Sequence, residues 1–299
     1  MNINLPITNS ESTRRHPSWI KARIPSGENY ADLKSLMRNL QLHTVCEEAR
    51  CPNIGECWNN RTATFMILGD ICTRRCMFCA VQKGKPMGIV DSDEPRRLGE
   101  AVEHLKLNHV VITSVNRDDL PDGGASIFAE CIKIAREKRP SCTIEVLIPD
   151  LEGNWDALNT IIEAKPEILN HNTETVHRLY RRARPHADYQ QSLNLLKKSK
   201  EIKPKMITKS GLMVGLGETV SELLETMQDI SYTGCDILTI GQYLSPSTRH
   251  LPIQRYYTPE EFDELKEAGL TMGFQHVESG PLVRSSYHAG EQARSTNLV

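Results

Sequence analysis

The stretch Thr64-Phe65-Met66-Ile67-Leu68-Gly69-Asp70-Ile71-Cys72-Thr73-Arg74-Arg75-Cys76-Met77-Phe78-Cys79 decides the fold. Its first five residues carry four consecutive apolar side chains after Thr64, the pattern of a strand buried on both faces, and three cysteines follow it. Loops at the carboxyl ends of parallel strands carry the chemistry of α/β folds, so Cys72, Cys76 and Cys79 stand where an active site is expected. The same rhythm continues outward. Short apolar runs at 108–113, 143–148, 167–170, 206–214 and 235–240 read as further buried strands. Amphipathic helices alternate with them: Leu98, Ala101, Val102 and Leu105 share one face, and Val220, Leu223, Leu224 and Met227 share another. Alternating strands and helices predict an α/β fold with a parallel sheet and right-handed crossovers. Six strands fall short of a closed eight-stranded barrel, so the expected architecture over 61–244 is an incomplete (β/α)6 TIM-like barrel.

Extensions flank this unit. On the amino side, 1–60, the stretch 1–28 contains the breakers Pro6, Pro17, Pro25 and Gly27 and reads as irregular. Leu33, Leu36, Met37 and Leu40 then predict a helix at about 30–41. Cys46, Cys51 and Cys57 follow in a loop-like stretch with Pro52 and Gly55. On the carboxyl side, 245–299, Ser245-Pro246-Ser247-Thr248 makes a turn-rich break. Thr258-Pro259-Glu260-Glu261 then supplies an N-cap, a proline at the first helical position and a capping-box glutamate. Arg284-Ser285-Ser286-Tyr287 precedes a polar tail.

A chain of 299 residues suits a single α/β barrel unit. With 36 basic and 38 acidic residues the formal charge is −2, so no global field draws the protein to nucleic acid or a membrane. No apolar run approaches the roughly 18 residues of a membrane span, and the polar start lacks a signal peptide's apolar segment. The expected location is therefore a reducing cytoplasm, where clustered cysteines serve as metal ligands or catalysts rather than in disulfides. Nine cysteines, an odd number, also argue against complete pairing. Cys131, Cys142 and Cys235 lie among apolar neighbours and read as core. None of the ten histidines shows metal-type pairing.

The remaining six cysteines form two triplets, C-x4-C-x5-C and C-x3-C-x2-C. A cubane [4Fe–4S] cluster takes one thiolate per iron, so a triplet leaves one iron open to a small molecule or an unusual side chain. Phe78, beside Cys79, could shield a face of such a cluster. The competing reading is a structural zinc site built on Cys76 and Cys79. Zinc wants four protein ligands in a closed site, and no second C-x2-C pair stands at ribbon-like spacing.

The C-x3-C-x2-aromatic-C pattern resembles the signature of the radical S-adenosylmethionine superfamily. That resemblance implies a cluster on Cys72, Cys76 and Cys79 whose open iron binds the amino and carboxylate groups of S-adenosylmethionine. Electron transfer then breaks the sulfonium bond and yields a 5′-deoxyadenosyl radical. With the upstream triplet and Arg284-Ser285-Ser286-Tyr287, the chain further resembles the lipoyl synthase family from about Trp19 to Ala289. Asn170-His171-Asn172-Thr173-Glu174-Thr175-Val176 and Gly211-Leu212-Met213-Val214-Gly215-Leu216-Gly217-Glu218 belong to the resemblance. It implies a second, auxiliary [4Fe–4S] cluster on Cys46, Cys51 and Cys57, closed by Ser286 or less readily Ser285, which is dismantled to supply sulfur. Both serines making only turn hydrogen bonds is the other reading. The implied reaction places sulfur at C6 and C8 of an octanoyl chain on a lysine of a lipoyl carrier domain or the glycine-cleavage H protein. An electron donor and an iron–sulfur carrier for cluster repair are implied partners. Another radical sulfur inserter or methylthiotransferase is the competing enzyme, and a zinc-stabilised binding module the competing class.

Gly211, Gly215 and Gly217 mark a strand-to-helix turn that can bring backbone close to a ligand, so Gly215 and Gly217 are candidate cofactor contacts. Asn172 and Glu174 follow the fourth strand on the active face, as cofactor contacts or as helix N-caps. Arg181, Arg182 and Arg184 form a basic run that reads as a solvated face. By the resemblance they serve instead to meet the S-adenosylmethionine carboxylate, Arg184 above all, or to dock an acidic protein substrate.

Overall fold

The computed structural model describes residues 16–22, 25–59 and 64–295. Residues 1–15 of the expected irregular start and the tail beyond 295 lie outside the described residues. The amino extension contains α1 (Glu28–Asn39), β1 (His43–Thr44), α2 (Val45–Glu48) and α3 (Ile54–Asn59), followed by β2 (Thr64–Ile67). Inside the second cysteine segment, β3 (Ile71–Cys72) pairs with β4 (Gln82–Lys83). Beyond it come α4 (Glu94–His104), β5 (His109–Ser114), α5 (Ala125–Lys138), β6 (Thr143–Leu147), α6 (Trp155–Glu163) and β7 (Ile168–Asn170). The rest comprises α7 (Tyr180–Ala183), α8 (Tyr189–Ile202), β8 (Ile207–Val214), α9 (Val220–Tyr232), β9 (Ile237–Gln242), α10 (Pro259–Thr271), β10 (His276–Gly280) and α11 (Ala289–Ser295).

One sheet runs β1-β2-β5-β6-β7-β8-β9-β10. Every pairing in it is parallel except the two-residue edge of β1 on β2. The ends β1 and β10 do not pair with each other, so the barrel is open. All six expected strands are present, and every residue of β2, β7 and β9 is buried, as their apolar runs require. The sheet extends one parallel strand further than the sequence reading. In His276-Val277-Glu278-Ser279-Gly280 only Val277 is buried, because an edge strand needs little apolar surface. Its pairing with β9 runs from His276–Ile237 to Gly280–Gly241.

Helices cover the sheet through the stripes read from the sequence. Leu98, Ala101 and Val102 are the buried face of α4, and Leu33 and Met37 that of α1. Capping boxes open α9 (Thr219 with Glu222) and α10 (Thr258 with Glu261), satisfying amide groups that would otherwise lack partners. The first cysteine triplet is less loop-like than expected: Cys46 sits on α2, Cys57 on α3 and Cys51 between them. Thr44 caps α2 by accepting from the Glu47 amide, and the fully buried Trp58 lies 5.1 Å from the Tyr30 ring of α1. At the amino ends of the strands, Ile168, Ile207 and Ile237 pack with Ala293 of α11. The last helix thus closes that end, and the carboxyl ends remain for the site.

Candidate functional site

Side chains at the carboxyl ends of the strands enclose a cavity of about 520 Å³. Its walls include Cys46, Cys51, Cys72, Cys76 and Cys79 together with Arg284, Ser285 and Ser286. Cys57 is not part of the wall, but Cys46 and Cys51 are near enough for their charges to raise its pKa.

The second triplet is held by an arginine inside its own loop. Arg74 is buried, and its Nε donates to Asp118 Oδ2 at 2.5 Å. Its two terminal nitrogens reach Asp118 Oδ1 (2.9 Å), both oxygens of Asp150 (3.0 and 3.2 Å) and the His186 carbonyl. Asp118 follows β5 and Asp150 follows β6, so one guanidinium fork ties the loop to two successive strand ends. Thr73 Oγ1 adds a bond to Asp118 (2.7 Å), and the Asn116 amide donates to Cys72 Sγ (3.4 Å). Farther along, the Met77 amide donates to Ala183 O, the Leu251 amide to Met77 O, and His250 Nε2 to Cys79 O.

Each triplet is an electrostatic unit of mutually opposed thiols. Burial pushes Cys46 and Cys57 up to about 12 and raises Cys51, with neighbouring thiols adding to the effect at Cys46 and Cys57. Burial also takes Cys79 to about 12 and raises Cys76. Arg284 opposes the rise at Cys51, and Arg184 opposes it at Cys76. Thiols in such surroundings become ligands only when a metal centre displaces their protons. Among the described residues no three His, Cys, Asp or Glu side chains converge as they would around a single ion.

The cavity also presents polar atoms awaiting a ligand. Arg184 Nε, His171 Nε2 and Ser114 Oγ are buried there without a hydrogen-bond partner among the described residues. Burial and then the charge of Arg184 hold the His171 imidazole down to about 4, so it is neutral. Its Nδ1–H donates to Ile148 O (2.9 Å), which leaves Nε2 as an acceptor facing the cavity.

The carboxyl-terminal motif meets the first triplet and the fourth-strand motif together. Asn53, between Cys51 and Cys57, donates to Leu282 O (2.7 Å), and Tyr287 OH donates to Glu56 (3.2 Å). Ser285 Oγ donates to Asn172 Oδ1 (2.9 Å), whose Nδ2 donates to Glu174 Oε1 (3.1 Å). Ser285 is therefore engaged, while Ser286 faces the cavity with no hydroxyl bond among the described residues. A Cβ at Gly211 would lie 2.7 Å from Asn172 Oδ1, 2.8 Å from Thr239 Oγ1 and 3.0 Å from Ser285 Oγ, so a side chain there would push this pair aside.

Phe78, Asn172, Glu174 and Arg184 all border the cavity. Neither Asn172 nor Glu174 caps a helix, since the next helical turn starts after Val176. Gly215 and Gly217 do not reach the cavity. They lie beyond β8 with φ of 96° and 110°, and the Gly215 amide donates to Glu218 (2.6 Å), so turn geometry accounts for them. Arg181 and Arg182 are exposed, apart from Arg184. The sequence assigns no role to Arg74, Asp118, Asp150 or His171, although an aspartate just past each of two strands is an available signal. Cys131, Cys142 and Cys235 are buried in the core, as expected.

The open parallel barrel with a cysteine triplet after its first core strand defines a radical S-adenosylmethionine enzyme. The model of the radical SAM superfamily matches residues 66–230, and that of the N-terminal domain of lipoyl synthase matches residues 1–51. Lipoyl synthase of Koribacter versatilis is 62% identical over 94% of this chain and 92% of its own length. That of Rubrobacter xylanophilus is 59% identical over 96% of this chain and 89% of its own length. The chain belongs to the lipoyl synthase family. Among solved structures, the FeFe-hydrogenase maturase HydG from Carboxydothermus hydrogenoformans is similar in fold, with a TM-score of 0.55, 15% identity, and coverage of 78% of this chain and 65% of that one. Methylornithine synthase gives a TM-score of 0.53 at 14% identity, covering 71% of this chain and 69% of its own. Superfamily membership carries a [4Fe–4S] cluster and S-adenosylmethionine with it. No helix of the described residues is long and apolar enough to cross a membrane.

Proposed function

We propose that this enzyme of lipoate biosynthesis inserts two sulfur atoms, at C6 and C8, into an octanoyl chain amide-linked to a carrier-protein lysine. Membership of the family supports radical sulfur insertion. One observation carries the finer reading: members of both cysteine triplets and Ser286 border a single cavity. Cys72, Cys76 and Cys79 would hold one [4Fe–4S] cluster, with S-adenosylmethionine at the open iron. Cys46, Cys51, Cys57 and Ser286 would hold the auxiliary cluster, where a hard oxygen ligand binds an iron–sulfur unit less firmly than thiolate does. When bound, the first centre supplies a radical able to attack an unactivated C–H bond, and the second supplies sulfur.

The chain's own residues position and shield. Arg74 holds the 72–79 loop against two strand ends. Arg184, beside Cys76 and with Nε unpartnered, suits the carboxylate of S-adenosylmethionine. Asn172 and Glu174 offer polar contacts next to it, and Phe78 an apolar one. Val45, Ala49, Val81, Leu147 and Met213 make walls that exclude water and suit an eight-carbon chain. Partners on this reading are octanoylated lipoyl domains or the glycine-cleavage H protein, an electron donor, and an iron–sulfur carrier that rebuilds the second cluster. A reducing cytoplasm suits the six thiolates.

The test is anaerobic turnover with an octanoylated lipoyl-domain peptide, followed by mass spectrometry for two added sulfurs. The brown protein should carry about eight irons, two cubanes' worth. Colourless zinc protein, or a methylthio group in the product, would overturn the proposal.

A further inference from the structure

We infer that a cationic rim around the cavity mouth docks an acidic face of the acyl carrier domain, an inference that rests on the protein-bound substrate proposed above. Of the residues bordering the cavity, the two that are exposed are Arg50 and Lys83, so they mark its mouth. Three segments surround that mouth, and hydrogen bonds tie them together. The cysteine segment carries Lys83 and Lys85, and its Met77 amide donates to Ala183 O beside Arg181 and Arg182. The Leu251 amide donates to Met77 O, and Arg50 donates to Pro246 O (3.5 Å), which brings the stretch containing Arg249 to the same rim.

The charge on these segments is one-sided. Residues 72–90, 177–187 and 244–258 together contain ten Lys or Arg and not one Asp or Glu, in a chain whose formal charge is −2. Among the described residues Arg50, Lys83, Lys85, Arg181, Arg182 and Arg249 make no ion pair. Of the carboxylates on adjoining segments, Asp118 and Asp150 are engaged by Arg74, Asp119 by Arg117 and Glu47 by Arg38, while Asp70 and Asp188 stand just outside the acid-free segments. The balanced composition thus conceals a local positive field centred on the entrance. Beside Lys85, Met87 and Ile89 are 78% and 75% exposed, giving the rim apolar contact surface as well.

An amide-linked acyl chain commits the occupant. While the chain fills the cavity, the backbone of the carrier must sit against the mouth, and a cationic mouth recognises an acidic carrier surface. Charge of this kind steers encounter and sets register, so it governs which lysine is presented more than the chemistry that follows.

The test is the double variant Lys85→Glu/Arg181→Glu, whose residues lie outside the cavity wall. Binding of holoenzyme to an octanoylated lipoyl domain is measured by calorimetry at low and high salt, with turnover on that domain and on a short octanoyl-lysine peptide. The expected result is Kd and KM for the domain weakened by roughly tenfold at low salt, with kcat unchanged and the gap closing near ~0.5 M salt. Turnover of the short peptide should stay at wild-type level. Unchanged domain affinity, or equal losses on domain and peptide, would overturn the inference. So would tighter binding of wild type to an oligonucleotide or an anionic vesicle than to the domain. A wild-type enzyme adding no sulfur to either substrate would instead overturn the proposed activity, while the binding arm still tests the rim.

Discussion

Gly241→Ala should separate radical generation from sulfur insertion. Gly241 lies near the carboxyl end of β9, registered between Met213 of β8 and Gly280 of β10. A Cβ built there overlaps the Val283 carbonyl oxygen, and it lies 3.0 Å from the carbonyl carbon and 3.3 Å from a guanidinium nitrogen of Arg284. The obstacle is backbone, not the swinging end of a side chain. Because β9 is paired on both sides, the Val283 segment must retreat by roughly 1 Å, an overpacking cost of about 1–3 kcal/mol. Ser286 is three residues on, and a displacement of about 1 Å at a reacting centre costs on the order of 100-fold in rate. The 72–79 loop should not feel the change, since Arg74 anchors it to the ends of β5 and β6. Anaerobic assays that quantify 5′-deoxyadenosine and sulfur-containing product in the same reaction read both outcomes. The expected variant cleaves S-adenosylmethionine at near wild-type rate and yields about 1% of the lipoyl product. Full lipoyl formation would refute the close approach as a constraint on Ser286, and parallel loss of both products would refute the separation of the two sites.

The same logic gives three further expectations. Cys51→Ala should still cleave S-adenosylmethionine yet form no lipoyl product, whereas Cys76→Ala should abolish cleavage too; persistent 5′-deoxyadenosine in the latter would contradict its role. Arg74→Gln strands the largely buried Asp150 and half-buried Asp118 without their cation, at about 3–5 kcal/mol, so iron should fall from about eight to about four per chain; a full complement would show that the loop needs no clamp. Lys209→Met tests the buried barrel ion pair, in which Lys209 Nζ lies 3.0 Å from Glu145 Oε1. Burial alone would raise the Glu145 carboxyl, but Lys209 and His109 outweigh it and hold it down to about 2. A depressed carboxyl contributes stability above its unfolded pKa of about 4.3 and loses it as pH falls toward the folded value. Without Lys209 the sign reverses, and the variant should lose about 3–5 kcal/mol at neutral pH and recover part of it near pH 5, as denaturation midpoints would reveal. A deficit independent of pH would sink that account.

What the chain discloses before folding follows from where its information is stored. Buried parallel strands are apolar over most of their length, so β2 and β5–β9 are visible as runs despite buried polar members such as Glu145 and Lys209, while β10, with one buried residue, is not. Six of the nine cysteines are visible because they stand as two closely spaced triplets, whereas Cys131, Cys142 and Cys235 are scattered through the core. The supporting groups carry no such mark. Arg74 and Asp150 stand 76 positions apart, and Ser285 and Asn172 113 apart, so only the curling of the sheet declares them partners. Gly215 and Gly217 pose the opposite difficulty: glycine beside a site is required by ligand approach in one place and by a left-handed turn in another, and composition cannot separate the two. Charge behaves likewise. A net charge of −2 is the sum of segments that differ in sign, and the three acid-free segments become one field only because Met77, Ala183 and Leu251 are hydrogen-bonded neighbours. The proposed docking rim is therefore the least legible part of the site, because its charge depends on segments being brought together.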